Sequence, residues 1–498
     1  MIAHGRGGTR TRAGGAALIA VALLAVALAA EGCDASHGRP PPGSTLRSTL
    51  VDSDGDGELD RGPAQPLVER DELGRPGRAQ RTLATFGVIS DAHVRDEESP
   101  ARAPFLDRLG SPLDSTFRPQ EPLSAQVLDA AVRALRSQRP DAVLVTGDLA
   151  DNAQSNELEL ALTVLRGGVA RPDSGAPGYD GVQLAANPDP LYYRPAVDAP
   201  RHPGLLNAAQ RPFRARGLGV SLLPVIGNHD LLVQGELPPS ARTRAIATGD
   251  RAFVSLRGRP RLPGAATRGA QRVADIRALL EDPRLGSTRR MPADRARRLL
   301  TPAQVAVSLR AAAGLAGGRP TLDYAADVGP HARVIAIDIV DRAGGADGVV
   351  TPAQLRWLRA QLRRAGDRAV IVASHQPLTG SRGAAAALRA LDASPNVVAI
   401  LSGHTHRHQI TPRRTPAGGY WIIETASLTD HPQQTRMVRL VRTRGGGRAL
   451  ETWVVDHDGR GLAGIARELA YLDVQGGRPR RLQASPRDRN ARLNLPTR

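Results

Sequence analysis

The chain has 498 residues, 67 of them basic and 49 acidic, for a formal net charge of +18. No lysine occurs, so every basic side chain is an arginine, and only 3% of residues are aromatic. Scattered arginines with so few aromatic faces read as a coding bias rather than a base-stacking platform, so no specific nucleic-acid binding is expected, although the charge favours anionic ligands. The single cysteine, Cys33, excludes disulfides and any cysteine-based metal site or nucleophile.

Arg6, Arg10 and Arg12 precede an apolar stretch from Ala16 to Ala30, the charged and hydrophobic regions of an export signal. Residues 1–33 are therefore expected to direct export to the cell envelope. Cys33 after Ala30-Glu31-Gly32 resembles a bacterial lipoprotein box, with Glu31 departing from its pattern. A lipid on Cys33 would anchor the chain to a membrane; cleavage at Ala27-Leu28-Ala29 would instead release it. Residues 34–81, rich in Pro, Gly and charge, predict a tether. Within it Asp52, Asp54, Asp56 and Gly57 match the opening of a calcium loop. Pro63 holds the twelfth position, where a bidentate carboxylate is needed, so a solvated acidic turn is expected.

The segment 82–474 predicts one large domain. A strand at 83–90, a helix at 124–137, a strand at 142–146 and a helix at 154–166 open it. A loop-rich insertion follows at about 167–216, then a strand at 219–226. A second insertion spans about 231–330, with helical stretches at 269–281 and 301–314. Strand 332–340, helix 351–365, strand 368–373, helix 383–392 and strand 396–401 resume the alternation. Segments 419–424, 434–442 and 449–456 read as antiparallel strands. This order predicts an α/β sandwich of two sheets. Residues 475–498 read as a basic disordered tail. No pattern in the sequence sets the oligomeric state.

Five short blocks sit at the carboxyl ends of the apolar runs TFGVIS, AVLVT, SLLPVI, RAVIVA and NVVAILS: Asp91-Ala92-His93, Gly147-Asp148, Gly227-Asn228-His229-Asp230, Ser374-His375 and Gly403-His404-Thr405-His406. Such runs read as buried parallel strands, and ligands of open α/β sheets bind at those ends. One Asp-x-His is more often a turn than a ligand. Five blocks that gather five of the 12 histidines are not explained by a solvated surface. Carboxylate, imidazole and amide donors in this number suit two metal ions and accommodate Mn, Fe or Zn alike.

The order D-x-H, G-D, G-N-H-D, H, G-H-x-H resembles the calcineurin-like metallophosphoesterases, and within them the class III cyclic-nucleotide phosphodiesterase pattern. GDLADN at 147–152, TPAQLRWL at 351–358 and ETASLTDHPQQTR at 424–436 look like an exported bacterial branch. The resemblance spans approximately 82–456 and implies a dinuclear centre. It assigns Asp91, His93 and His406 to one metal, Asn228, His375 and His404 to the other, and Asp148 as the bridge. It implies hydrolysis of a small phosphodiester or phosphomonoester by a metal-bridging hydroxide, with His229 as general acid. Asp230 is expected to orient His229, or otherwise to serve as a helix cap or turn residue. Asp151 and Asn152 read as loop-fixing residues. Gln376 and His408 are expected to face the same cleft, Gln376 being a departure from the family pattern. Tyr179, Tyr192 and Tyr193 could stack on an aromatic leaving group or simply pack the first insertion, and both insertions stand where lids are found. A non-catalytic metal-binding scaffold and a surface binder of anionic polymer are the alternatives.

Overall fold

Apolar runs that can hide both faces from water form the centre of the molecule. In a computed structural model of the chain, which describes residues 39–109, 116–256, 286–316, 321–478 and 484–497 together with Ala274, Arg277 and Ala278, these runs build two sheets. The first has seven strands in the order Val68–Arg70, Ala491–Asn494, Arg448–Asp456, Gln434–Thr443, Ala79–Ile89, Ala142–Val145, Ser221–Pro224. The second has six: Tyr324–Val328, Ala332–Ala336, Ala369–Ala373, Val397–Ser402, Gly418–Glu424, Gln409–Thr415. Ala79–Ile89, Ala142–Val145 and Ser221–Pro224 run parallel, as do Ala332–Ala336, Ala369–Ala373, Val397–Ser402 and Gly418–Glu424.

Side-chain alternation sorts the second sheet into two faces. Val334, Ile371, Leu401, Trp421 and Ile423 join the core shared with Val88, Leu144, Met437 and Leu450 of the first sheet. Ile335, Val370, Val372, Ile400 and Ile422 join a second core with Leu358, Leu388 and Leu391, which belong to helices Pro352–Arg364 and Ala384–Asp392. The first sheet is backed by Ser124–Gln138, whose Leu128, Val132 and Leu135 are buried. The expected α/β two-sheet sandwich is thus the architecture observed. Pro302–Ala312 and Pro352–Arg364 begin alike: Thr301 and Thr351 accept from the backbone N–H of Gln304 and Gln354, and each Gln side chain returns to the cap, a reciprocal capping box.

Residues 1–40 and 41–498 separate into two units. Of the first only Arg39 and Pro40 are described, so the export segment and Cys33 lie outside the described residues, as does most of the 269–281 helical stretch. Among the described residues no helix is long and apolar enough to cross a membrane.

Both flanks correct the sequence reading. The 34–81 segment is not simply a tether: Thr45 and Thr49 are buried, and Val68–Arg70 pairs parallel with Ala491–Asn494. The end of the chain is not a disordered tail over its described part. Ala491–Asn494 pairs with Arg448–Asp456, and Ala491 and Leu493 are fully buried. Alternation over four residues was hidden by the surrounding arginines, one of which, Arg492, meets Glu451 at 2.8 Å. Asp52, Asp54 and Asp56 do form a turn, whose carboxylates accept backbone N–H groups of Gly55, Gly57 and Glu58.

The first insertion is closed at its base by the antiparallel pair Gly168–Ala170 and Phe213–Ala215. Its tyrosines serve packing. Tyr192 is buried edge-on against Phe117 and donates to Val254 O, while Tyr179 accepts from Gln183 N–H. Tyr193 donates to Pro200 O. The second insertion holds a strand pair the sequence did not announce, Arg251–Leu256 with Gly286–Arg290.

Candidate metal centre

All five blocks lie just past strand ends, and the chain there turns sharply. Asp91, His93, Asp148, His404 and His406 have φ of 50, 42, 51, 70 and 55°. Non-glycine residues seldom occupy this left-handed region, and such strained positions concentrate at functional sites. The turns aim the side chains inward to one place. Donor atoms of Asp91, His93 and His406 lie within 4.8 Å of one another, as do those of Asp148, His375 and His404. Asp148 Oδ2 stands between the groups, 3.1 Å from His375 Nε2 and 3.7 Å from His93 Nε2. Asn228 Oδ1 is 3.0 Å from His375 Nε2, and His404 turns its Nδ1 inward, 3.3 Å from the same atom.

The far sides of His93, His375 and His406 are held. His93 Nδ1 faces Asp151 Oδ1 at 3.0 Å, His375 Nδ1 faces Thr146 O at 2.8 Å, and His406 Nδ1 faces Asp430 Oδ2 at 2.6 Å. A carbonyl or ionised carboxylate only accepts, so each Nδ1 donates, which in the neutral ring leaves Nε2 as a lone pair directed inward. His93 Nε2 and His406 Nε2 then face each other at 3.3 Å, an arrangement a cation satisfies. Electrostatics agree. Burial opposes charge on His375 and His406, yet Asp148 and Asp91 outweigh it and push them up to about 9 and about 10. Burial and the neighbouring His375 push His404 down to about 3. Against the same burial, His375 and His229 hold Asp148 far below the carboxylate range. A centre that draws protons onto buried imidazoles fits divalent cations, and the donors are those such ions take.

His229 shares the same rim. Its Nδ1 donates to Asp151 O at 2.7 Å and its backbone N–H to Asp148 Oδ1 at 2.8 Å. A side chain at Gly235 would put Cβ 2.3 Å from His229 Nε2, so that glycine leaves the ring nitrogen its space. Donor atoms of His93, Asp148 and His229 also fall within 4.8 Å of one another, so distance alone allows His229 a ligand's place as well as an acid's.

Asp230 does not orient His229. Its carboxylate accepts from the backbone N–H groups of Asp148, Ala150 and Gly227, tying two of the blocks together as a turn residue would. The group at the His229 ring is Asp151, through its carbonyl and with Oδ1 at 3.7 Å. Gln376 does reach the centre, its Nε2 3.4 Å from Asn228 Oδ1. His408 does not line the cleft: it is buried, accepting from Ala426 N–H, with Arg436 3.0 Å from the same Nδ1. Asp430 was missed as a site residue, although the string 424–436 containing it stood out.

Residues 311–408 match the family model described as calcineurin-like phosphoesterase, a stretch that contains His375, His404 and His406. No curated protein matches the chain. Among solved structures, a dimetal phosphatase from Danio rerio is 15% identical, covering 76% of this chain and 100% of its own, with a TM-score of 0.37. A sulfate thiohydrolase from Thermus thermophilus is 15% identical, covering 80% of this chain and 61% of its own, with a TM-score of 0.31. Neither TM-score decides a fold or a reaction.

Proposed function

We propose that this chain, whose residues 311–408 match the calcineurin-like phosphoesterase model, is a dinuclear metal-dependent hydrolase of a small phosphodiester or phosphomonoester. The observation that carries the reading is Asp148 Oδ2, standing 3.1 Å from His375 Nε2 and 3.7 Å from His93 Nε2. That is where a bridging carboxylate belongs. Asp91, His93 and His406 would hold one ion, and Asn228, His375 and His404 the other. Bound there, the ions would supply Lewis acidity for the phosphoryl oxygens and a water acidified enough to attack phosphorus. The protein's part is positioning and proton transfer. The carboxylates and neutral imidazoles fix the geometry. His404, Thr405, His406 and His229 form the partly exposed rim through which a phosphoester would enter.

His229 is the proton donor in this reading. With Nδ1–H fixed on Asp151 O, its Nε2–H can be given to the leaving oxygen. Burial and the nearby His93 lower its pKa, which makes the proton easier to surrender. The N-terminal sequence supports an exported chain, anchored to a membrane through Cys33 or secreted.

The test is a phosphoester panel with the protein reloaded separately with Mn, Fe and Zn, repeated for His229→Ala. Metal content should stay near that of the unsubstituted protein, while turnover on an alkyl phosphoester falls about 10²-fold or more. The loss should shrink for a nitrophenyl ester, whose leaving group needs no proton. Loss of metal would make His229 a ligand, and equal loss on both substrates would remove the acid role.

A further inference from the structure

The two histidines flanking Asp91 are backed by different carboxylates, and those carboxylates are joined by buried charge. Asp430 Oδ2 receives His406 Nδ1 at 2.6 Å, and its Oδ1 receives Arg118 Nε at 2.8 Å. The backbone N–H of Arg118 donates to Glu121 Oε2 at 3.1 Å. Glu121 also accepts from Arg95 at 3.1 Å and from Arg102 at 2.6 Å. Arg95 donates in turn to Asp151 Oδ1 at 2.7 Å, the oxygen that receives His93 Nδ1. Arg95, Arg102, Arg118, Glu121, Asp151 and Asp430 are each 7% exposed or less. Arg118 also lies 3.6 Å from Asp473, so the buried charges are compensated within a connected network, where removing one partner is costly.

From this chain of contacts we infer that Asp430 is a positioning residue for His406, and that Arg118 and Glu121 tie its placement to that of Asp151, so that His406 and His93 are presented as one unit. The inference rests on the two-metal reading above. A carboxylate on the far nitrogen of a ligating imidazole fixes its tautomer and rotation and raises its basicity. Among the described residues the other group has no carboxylate behind an imidazole: His375 Nδ1 meets the Thr146 carbonyl. The effect is therefore selective for one metal position.

Selectivity is what the test reads. Metal content of the full chain is titrated against a competing chelator with Mn²⁺ and Zn²⁺. His406→Ala and His404→Ala identify which equivalent belongs to which position. Asp430→Asn, which keeps size and shape, should weaken the equivalent lost in His406→Ala by about 10–100-fold and leave the one lost in His404→Ala unchanged. Glu121→Gln, which touches neither histidine, should weaken the same equivalent by a smaller factor, and it carries the test if Asp430→Asn does not fold. Unchanged affinity at both positions, or equal loss at both, overturns the inference. Failure of the unsubstituted protein to bind two ions overturns the two-metal reading and the inference with it, and is seen before any substitution is made.

Discussion

Gly227 precedes Asn228 and has no room for a methyl group. A Cβ there would sit 2.0 Å from Asp148 Oδ1 and 2.3 Å from the Asp148 backbone nitrogen, while its φ of −101° suits any residue. Close approach, not backbone freedom, requires the glycine. Gly227→Ala should therefore displace Asp148, lower metal content at both positions by elemental analysis, and cost roughly 1–3 kcal/mol by denaturant unfolding, the usual range for overpacking. Retention of both ions would show that the loop yields instead. At this scale the sequence revealed the inward-facing donors because the chemistry restricts their types and the blocks are short. It did not reveal what holds them. Asp151 is 58 residues from His93 and Asp430 is 24 from His406, and no local pattern couples such pairs. Asp230 misled for the opposite reason: adjacency to His229 suggested a contact, but a side chain at the third position of the short helix Asn228–Leu231 turns back to the cap.

The strands that carry the blocks were legible because they are continuous apolar runs. Ala142–Val145 and Val397–Ser402 are buried at every position, and each was anticipated within about a residue or two, the ordinary scatter of element ends. Ala491–Asn494 was not, because four residues between arginine-rich stretches carry too little hydrophobic pattern. Its role is measurable. Leu493 is fully buried in the main core, so Leu493→Ala should cost about 2–5 kcal/mol in denaturant unfolding. A cost under about 0.5 kcal/mol, the range of surface positions, would mean that the last strand is dispensable. The insertions were legible only as insertions. Their paired base and the Arg251–Leu256 hairpin depend on partners more than 30 residues away, as Ser255 and Ser287 illustrate.

In the whole molecule, two sheets bring the ends of five strands to one rim, and only that convergence turns scattered Asp, His and Asn residues into a centre. The net charge of +18 favours anionic ligands in general without building a site. The central claim is that one carboxylate serves two ions. It is tested most directly by counting metal in the purified chain under metal-replete conditions, with and without Asp148→Ala. The account predicts about two ions per chain, the number a bridged hydrolytic centre holds, and a fall at both positions on substitution. One ion or fewer in the unsubstituted protein, or two retained by Asp148→Ala, would contradict it.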